Sequence, residues 1–262
     1  MHFLFIIMTT NKLPLSVVLI SYNEESNIGR TLQSVANISS EIILVDSFST
    51  DRTVEIAESF GAKIFKEDWK GYVEQKNSAL RKSTQSWILA LDCDEVPDEV
   101  LINAISNVIE KNERIGYLIQ RKTFYLGKLM KRAWQPDWKL RLVRRDCNPR
   151  WEGIEPHDVL VVDSPVKKIK GSLIHYPYRD LYQHFQKTIK YAKISADAYY
   201  KLGLRANLFK ICFNPLFAFI KLYFLNLGLV DGLRGFIAGV SSLVATFLKY
   251  VFLWEIEKGS KK

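Results

Sequence analysis

Four short apolar runs, at residues 16–20, 42–45, 62–65 and 87–91, each end in a polar or acidic cluster and are separated by helical segments. Runs that are apolar throughout, rather than alternating, suit strands buried on both faces. Between them, Ile28, Leu32 and Val35 recur at helical spacing, residues 53–60 read as a helix stopped by Gly61, and residues 73–82 read as a third helix. Strand–helix alternation with short links implies a parallel, doubly wound α/β sheet. Ligands of such sheets gather beyond the carboxyl ends of the strands. Residues 21–25, 46–51, 67–68 and 92–95 would all lie there.

From Gly116 the pattern changes. Residues 116–124, 139–143, 159–162 and 172–175 read as strands of a more mixed sheet, followed by a long helix over 179–200 with Phe185, Ile189 and Ala192 on one face. The expected organisation is an N-terminal extension (1–14), a main domain (15–200) divided into a ligand-binding half (15–115) and a second half (116–200), and C-terminal amphipathic helices (201–262). The apolar start, residues 3–8, has no basic segment before it and polar residues after it, so a cleaved signal peptide is not expected.

The formal charge of +9 favours an anionic partner: a phosphorylated substrate, an acidic membrane surface or nucleic acid. Cys93, Cys147 and Cys212 are odd in number and widely spaced, which suggests reduced thiols rather than a disulfide framework or zinc knuckle. No Gly-x-Gly-x-x-Gly follows a strand and no Walker loop is present, arguing against dinucleotide redox chemistry and P-loop phosphotransfer.

The segment Asp92-Cys93-Asp94-Glu95 sits just past an apolar strand. Its three carboxylates repel one another unless a cation joins them, and magnesium or manganese suits oxygen ligands and phosphates. The plainer reading is that Glu95 and Asp98 cap a helix starting near Pro97, but this leaves Asp92, Asp94 and Asp46 unexplained. Asp46, ending the second strand, is placed to accept hydrogen bonds from a base or ribose.

Ser-Val-Val-Leu-Ile-Ser-Tyr-Asn-Glu-Glu, then Ile-Ile-Leu-Val-Asp-Ser-Phe-Ser-Thr-Asp-Arg-Thr, then Leu-Asp-Cys-Asp-Glu resemble the family 2 glycosyltransferases of GT-A fold. With Gln75-Lys76-Asn77 and the Trp-rich middle region, the chain also resembles the branch that adds a hexose to the lipopolysaccharide inner core, β-1,4-glucosyltransferases among them. The resemblance implies that Tyr22, Asn23 and Glu24 line the base and ribose, that Asp46 contacts uracil or ribose, that Lys76 lies near the nucleotide, that Asp92 contacts ribose or sugar, and that Asp94 holds a divalent metal on the diphosphate. Phe48 stands where the Asp-x-Gly-Ser-Thr-Asp loop of the family has glycine, so a reshaped loop is expected. Cys93 reads as packing, since neighbouring carboxylates oppose a thiolate.

An inverting transfer needs a carboxylate to take the acceptor's hydroxyl proton. Asp158 is favoured because His157-Asp158 resembles a His-Glu pair of related sequences; Glu155 and Asp137 are rivals. His175 is either a further metal ligand or diphosphate donor, or a partly buried structural residue; His184 reads as structural. Trp134, Trp138 and Trp151 suit stacking on sugars or a place in the core. Arg121, Lys122, Lys128, Lys131, Arg132, Lys139, Arg141, Arg144 and Arg145 form either a solvated basic face or a surface for an anionic acceptor; no nucleic-acid motif accompanies them.

Residues 207–254 are apolar with spaced basic residues, and the longest uncharged run, near 235–248, is shorter than the ~20 residues of a spanning helix. Two helices lying in a membrane surface, broken near residues 228–232, are expected, the alternative being a soluble pair packed on the main domain. Together these features lead to a metal-dependent transferase at the cytoplasmic face of the inner membrane, or in the cytoplasm, taking a hexose, glucose from UDP-glucose foremost, to an anionic lipid-linked acceptor. The rivals are a polyprenyl-phosphate sugar transferase and a non-catalytic nucleotide-sugar-binding scaffold.

Overall fold

The computed structural model describes residues 12–154 and 157–259. Four strands in the first half, β1 (Leu13–Ser21), β2 (Ser39–Asp46), β3 (Lys63–Lys66) and β4 (Trp87–Ala90), are mutually parallel in the order β3-β2-β1-β4. Helices α1 (Ile28–Val35), α2 (Thr53–Ser59) and α3 (Tyr72–Lys82) connect them. β1 explains why the runs are apolar throughout: Val17 and Leu19 pack into one core with α1, while Val18 packs on the opposite face with Ala79 and Leu80 of α3. The strand begins at Leu13, two residues inside the stretch assigned to an N-terminal extension.

A three-residue strand, β5 (Glu95–Pro97), precedes α4 (Glu99–Lys111), whose N-terminus is capped by Asp98 accepting from the Leu101 amide. Glu95 is therefore not a cap: it lies inside the sheet, fully buried. The second half adds β6 (Gly116–Tyr125), β7 (Lys128–Leu129), β8 (Trp138–Arg144), a hairpin of β9 (Arg150–Ile154) and β10 (His157–Val161), and β11 (Val166–His175). The main sheet continues β4-β8-β6-β11-β5, with β8 antiparallel to both neighbours, so it is mixed, as expected. β9 and β10 pair only with each other among the described residues.

Three helices complete the chain: α5 (Leu181–Lys201), α6 (Leu208–Ile220), which continues for a further turn to Leu225, and α7 (Leu233–Gly259). The break at 226–232 falls where expected. The length does not: α7 rises about 40 Å and α6 with its continuation about 27 Å, so both are long and apolar enough to cross a membrane by length and composition. The uncharged-run criterion missed this because Lys249 interrupts an otherwise apolar helix. α7 runs parallel to α5 and meets it at His184–Ser241, Thr188–Ser241 and Tyr199–Lys249; beyond the end of α5 the Ala206 amide donates to Glu257. α6 fills the other side, where a side chain on Gly239 would press on the Phe219 ring. Phe209, Phe213, Leu216, Phe217, Ile220 and Phe224 leave an apolar stripe facing outward.

Candidate active site

The parallel register sets Ser21 beside Asp46, bringing the loops after β1 and β2 together. They are zipped by the Asn23 amide donating to Ser49 Oγ (2.8 Å), the Thr50 amide to Asn23 Oδ1 (2.8 Å) and the Glu24 amide to Thr53 Oγ1 (2.7 Å). Asp46 is fully buried, and its carboxylate accepts from Ser21 Oγ (2.7 Å), the Ser49 amide (2.8 Å) and Ser49 Oγ. In this arrangement the carboxylate organises the loop. Tyr22, by contrast, is exposed at the mouth. Phe48 holds φ +59° and projects outward, so the loop keeps the left-handed turn that a glycine would take, and the expected reshaping is absent.

Beyond β4 the acidic segment is neutralised mainly by the protein itself. Arg141 Nη2 reaches Asp92 Oδ2 (2.6 Å) and Glu95 Oε1 (2.8 Å); Arg121 Nη1 reaches Glu95 Oε1 (3.3 Å) and its Nε reaches Asp137 Oδ2 (2.7 Å). Lys76 Nζ stands between Asp158 Oδ2 (2.7 Å) and Asp92 Oδ1 (3.3 Å). A continuous ladder of alternating charge results: Asp158, Lys76, Asp92, Arg141, Glu95, Arg121, Asp137. Burial pushes the Asp92 carboxyl up, but Arg141, Lys76 and Arg121 outweigh it and hold the group far below the usual range. The Arg141 guanidinium, desolvated but flanked by Asp92 and Glu95, is pushed up. Two sequence expectations change. A single cation shared by Asp92, Asp94 and Glu95 is unnecessary, and Arg141 and Arg121 belong to the interior, not to a solvated basic face.

Asp94 stands apart from the ladder. Its Oδ2 lies 3.4 Å from His175 Nε2, because β5 pairs with the end of β11 and the Tyr176 amide donates to the Asp94 carbonyl (2.9 Å). Burial raises the Asp94 carboxyl, but His175 brings it below its ordinary value. Glu24 is raised, chiefly by burial and partly by Asp94, against a hydrogen bond from Asn27. Two ligands cis to each other, each about 2.1 Å from a magnesium-like ion, stand about 3 Å apart, so Asp94 and His175 fit one cation. Among the described residues no three metal-ligating side chains converge, and phosphate oxygens or water would complete such a shell, as is usual for magnesium.

Asp158 faces Lys76 from the β9–β10 hairpin, and Asn77 secures that hairpin by bonding the Trp151 backbone in both directions (2.9 and 2.8 Å). Glu155 lies outside the described residues, as does the side chain of His157. Asp137 is held by Arg121 and by Lys139 Nζ (3.2 Å), and sits lower than an ordinary carboxyl because these cations outweigh its burial. Trp151 is buried, with Lys76 Nζ 4.2 Å from its ring centroid; Trp134 packs with Tyr125, Tyr178 and His184; Lys168 Nζ lies 4.4 Å from the Trp138 ring centroid. These rings make protein contacts. Cys93 is buried and its thiol is pushed well up by desolvation and adjoining acids, as packing requires. His184 is also structural, accepting or donating at both ring nitrogens with Tyr125 and Ser241 (2.7 Å each) and lowered to about 4 by burial.

Arg141, Glu95 and Asn77 are named in the sequence reading, but not with the parts they play here: Arg141 and Glu95 as the buried centre of the ladder, Asn77 as the hairpin's fastener. The available signal was Arg141 itself, a charge within the apolar run Leu140, Leu142, Val143 of a strand.

A mixed sheet in this order, with an acidic turn after β4 and a His at the end of β11 beside it, is that of a GT-A fold. A model of the family described as glycosyl transferase family 2 matches residues 16–197, and the chain belongs to that family and is a glycosyltransferase. It is 30% identical to the lipopolysaccharide core biosynthesis glycosyltransferase LpsC of Rhizobium meliloti, over 90% of each chain. It is also 30% identical to an uncharacterized glycosyltransferase of Rickettsia typhi, over 94% of this chain and 89% of the relative. In fold it is similar to S. aureus TarS 1-349 in complex with UDP-GlcNAc, with a TM-score of 0.52 at 14% identity over 94% and 92% of the two chains.

Proposed function

We propose that this glycosyltransferase moves a hexose, glucose from UDP-glucose, to a hydroxyl of a lipid-linked core oligosaccharide, with inversion at the anomeric carbon. The observation that carries the reading is Lys76 bridging Asp92 and Asp158 beside the Asp94–His175 pair. It puts a cation for a diphosphate, a divalent-metal pair and a carboxylate base at one end of the sheet. The similarity to LpsC supports a core-oligosaccharide acceptor.

Tyr22, Asn23 and Glu24 line the nucleotide, with Asp46 acting through the loop that it organises. Asp94 and His175 hold magnesium or manganese, which would neutralise the diphosphate as it departs. Lys76 turns from Asp158 toward the diphosphate, freeing the carboxylate. Asp158 then takes the proton of the acceptor hydroxyl as its oxygen bonds to the anomeric carbon. The bond from that carbon to the phosphate oxygen breaks, and UDP leaves with the electron pair.

The C-terminal helices support a location at the cytoplasmic face of the inner membrane. α7 is bonded to α5 through Ser241 and Lys249, and α5 carries Lys187, Lys190 and Lys193. Lipid cannot surround a helix pinned to so polar a neighbour, which favours helices lying in the interface over helices that span. The outward stripe of α6 supplies the apolar contact.

Incubation of the full chain with UDP-[14C]glucose, manganese and vesicles of core-truncated lipopolysaccharide, against a panel of other UDP-sugars, tests the reading. Label in lipopolysaccharide from UDP-glucose is expected. Label in a polyprenyl phosphate instead, from native membranes, would replace the acceptor, and UDP binding without turnover on any acceptor would favour the scaffold.

A further inference from the structure

The turn between α6 and α7 is fastened to the second half of the catalytic domain. Asp231 Oδ1 accepts from the Lys131 amide (2.7 Å), and its Oδ2 accepts from the amides of Arg132 (2.9 Å) and Ala133 (2.7 Å). Three successive backbone N–H groups aimed at one carboxylate form an anion-binding nest, here filled by the chain itself. Three residues on, Arg234 donates through Nε (2.9 Å) and Nη2 (2.7 Å) to the carbonyl of Leu126, a residue at φ +46°. One strained backbone position and one nest are thus both held from the same turn.

The turn itself is built to a tight closure. A side chain on Gly235 would meet the Gly228 carbonyl oxygen at 1.8 Å, and one on Gly228 would meet that of Leu222 at 2.7 Å. The loop that it grips leads directly to the charge ladder. Gln135 Nε2 donates to the Arg121 carbonyl (2.9 Å), the Arg121 amide donates to the Asp137 carbonyl (2.8 Å), and Arg121 bonds the carboxylate of Asp137. Lys128, Lys131 and Arg132 are exposed on the gripped segment.

We propose that Asp231 is a positioning residue. Through the backbone of residues 131–133, with Arg234 holding Leu126, it fixes loop 126–137 to the membrane-facing helices, so that the helices set where a lipid-borne acceptor meets the sheet. This rests on the function proposed above. Asp231 touches neither the donor loops nor the ladder, and acts on acceptor engagement alone.

Full-length Asp231→Ala and Asp231→Asn are compared with the unaltered chain in UDP affinity by calorimetry, in KM and kcat on vesicles of core-truncated lipopolysaccharide with UDP-[14C]glucose, and in amide exchange at residues 131–133. Asn keeps one accepting oxygen, so a graded series is expected. Asp231→Ala raises the acceptor KM by on the order of tenfold or more, as small misplacements near a reaction do; Asp231→Asn raises it less. UDP affinity stays within about twofold and the amides exchange faster. Faster exchange with an unaltered acceptor KM would overturn the proposal, because the clamp would then serve folding only. So would a loss of UDP affinity matching the rise in KM. An unaltered chain that binds UDP yet labels no lipid refutes the acceptor reading first, and this proposal with it.

Discussion

Lys76 Nζ lies 2.7 Å from the carboxylate of Asp158 and 3.3 Å from that of Asp92, joining a hairpin outside the main sheet to the acidic turn that follows β4. A base candidate and a donor-side acid therefore share one ammonium. On the proposed mechanism, binding a diphosphate at Lys76 and releasing Asp158 would be linked by that sharing.

Asp158→Asn should leave UDP affinity nearly intact and lower turnover by roughly a hundredfold or more, the usual worth of a general base. Steady-state kinetics with calorimetric UDP titration measure both. Should Glu155→Gln or Asp137→Asn give that pattern while Asp158→Asn does not, the base is elsewhere.

Asp94→Ala should abolish transfer and remove the manganese dependence of UDP binding, because His175 alone is a poor site for a hard cation. Undiminished turnover in excess EDTA would refute the metal requirement.

Arg141→Met should destabilise the fold by about 3 kcal/mol, since it removes the nearest cation from the fully buried Glu95 and from Asp92, leaving them only Arg121 and Lys76, each at 3.3 Å. Urea unfolding measures it. The loss should shrink in the double variant Arg141→Met with Glu95→Gln, and additive losses would argue against a coupled pair.

Glu41 gives the fold a defined acid limit. Burial pushes its carboxyl up, but bonds from Lys63, Ser16 and Thr84 bring it from 4.5 down to about 2. The folded value lies below the unfolded one, so the stabilisation is complete above pH 4.5 and is lost as pH falls toward 2. Unfolding free energies of Glu41→Gln should be lower than those of the unaltered chain at pH 7 and flatter across this window; parallel curves would remove Glu41 as the cause.

Phe213→Glu with Phe217→Glu should weaken binding to anionic vesicles by on the order of a hundredfold, given about 1.5–3 kcal/mol for each apolar side chain withdrawn. What remains should be salt-sensitive, since basic residues contribute through a screened field. These substitutions are preferable to truncation, which would uncover Tyr125, His184 and the α5 face. Unchanged cosedimentation would place the contact on another surface.

The donor half was legible because its strands are apolar on both faces and each ends in a polar turn, a pattern few other arrangements produce. β5 was not, because three residues carry no period, and an acid before a helix reads as a cap whether or not it is one. Asp98 caps; Glu95, three residues earlier, is buried against Arg141. The ladder needed β8 laid against β4, a pairing between residues more than fifty positions apart. Asp46 was recognised from its place at the end of β2; the serines that saturate its carboxylate were not, because Ser21 reaches it only through the register of β1 on β2. The length of α7 was underread because one lysine divided it.

Among the described residues the β9–β10 hairpin shares no ladder with the main sheet; Asn77 and Lys76, adjacent on α3, tie it to α3 by side chains. A strand woven into a sheet cannot change length or register without shifting its neighbours; this hairpin is anchored in the core by Trp151 and Leu160 and tied to α3 by Asn77 and Lys76, outside that constraint. Changes of length in this hairpin can then accumulate without shifting the register of the main sheet. Divergence among relatives should concentrate there, with one donor apparatus serving many acceptors.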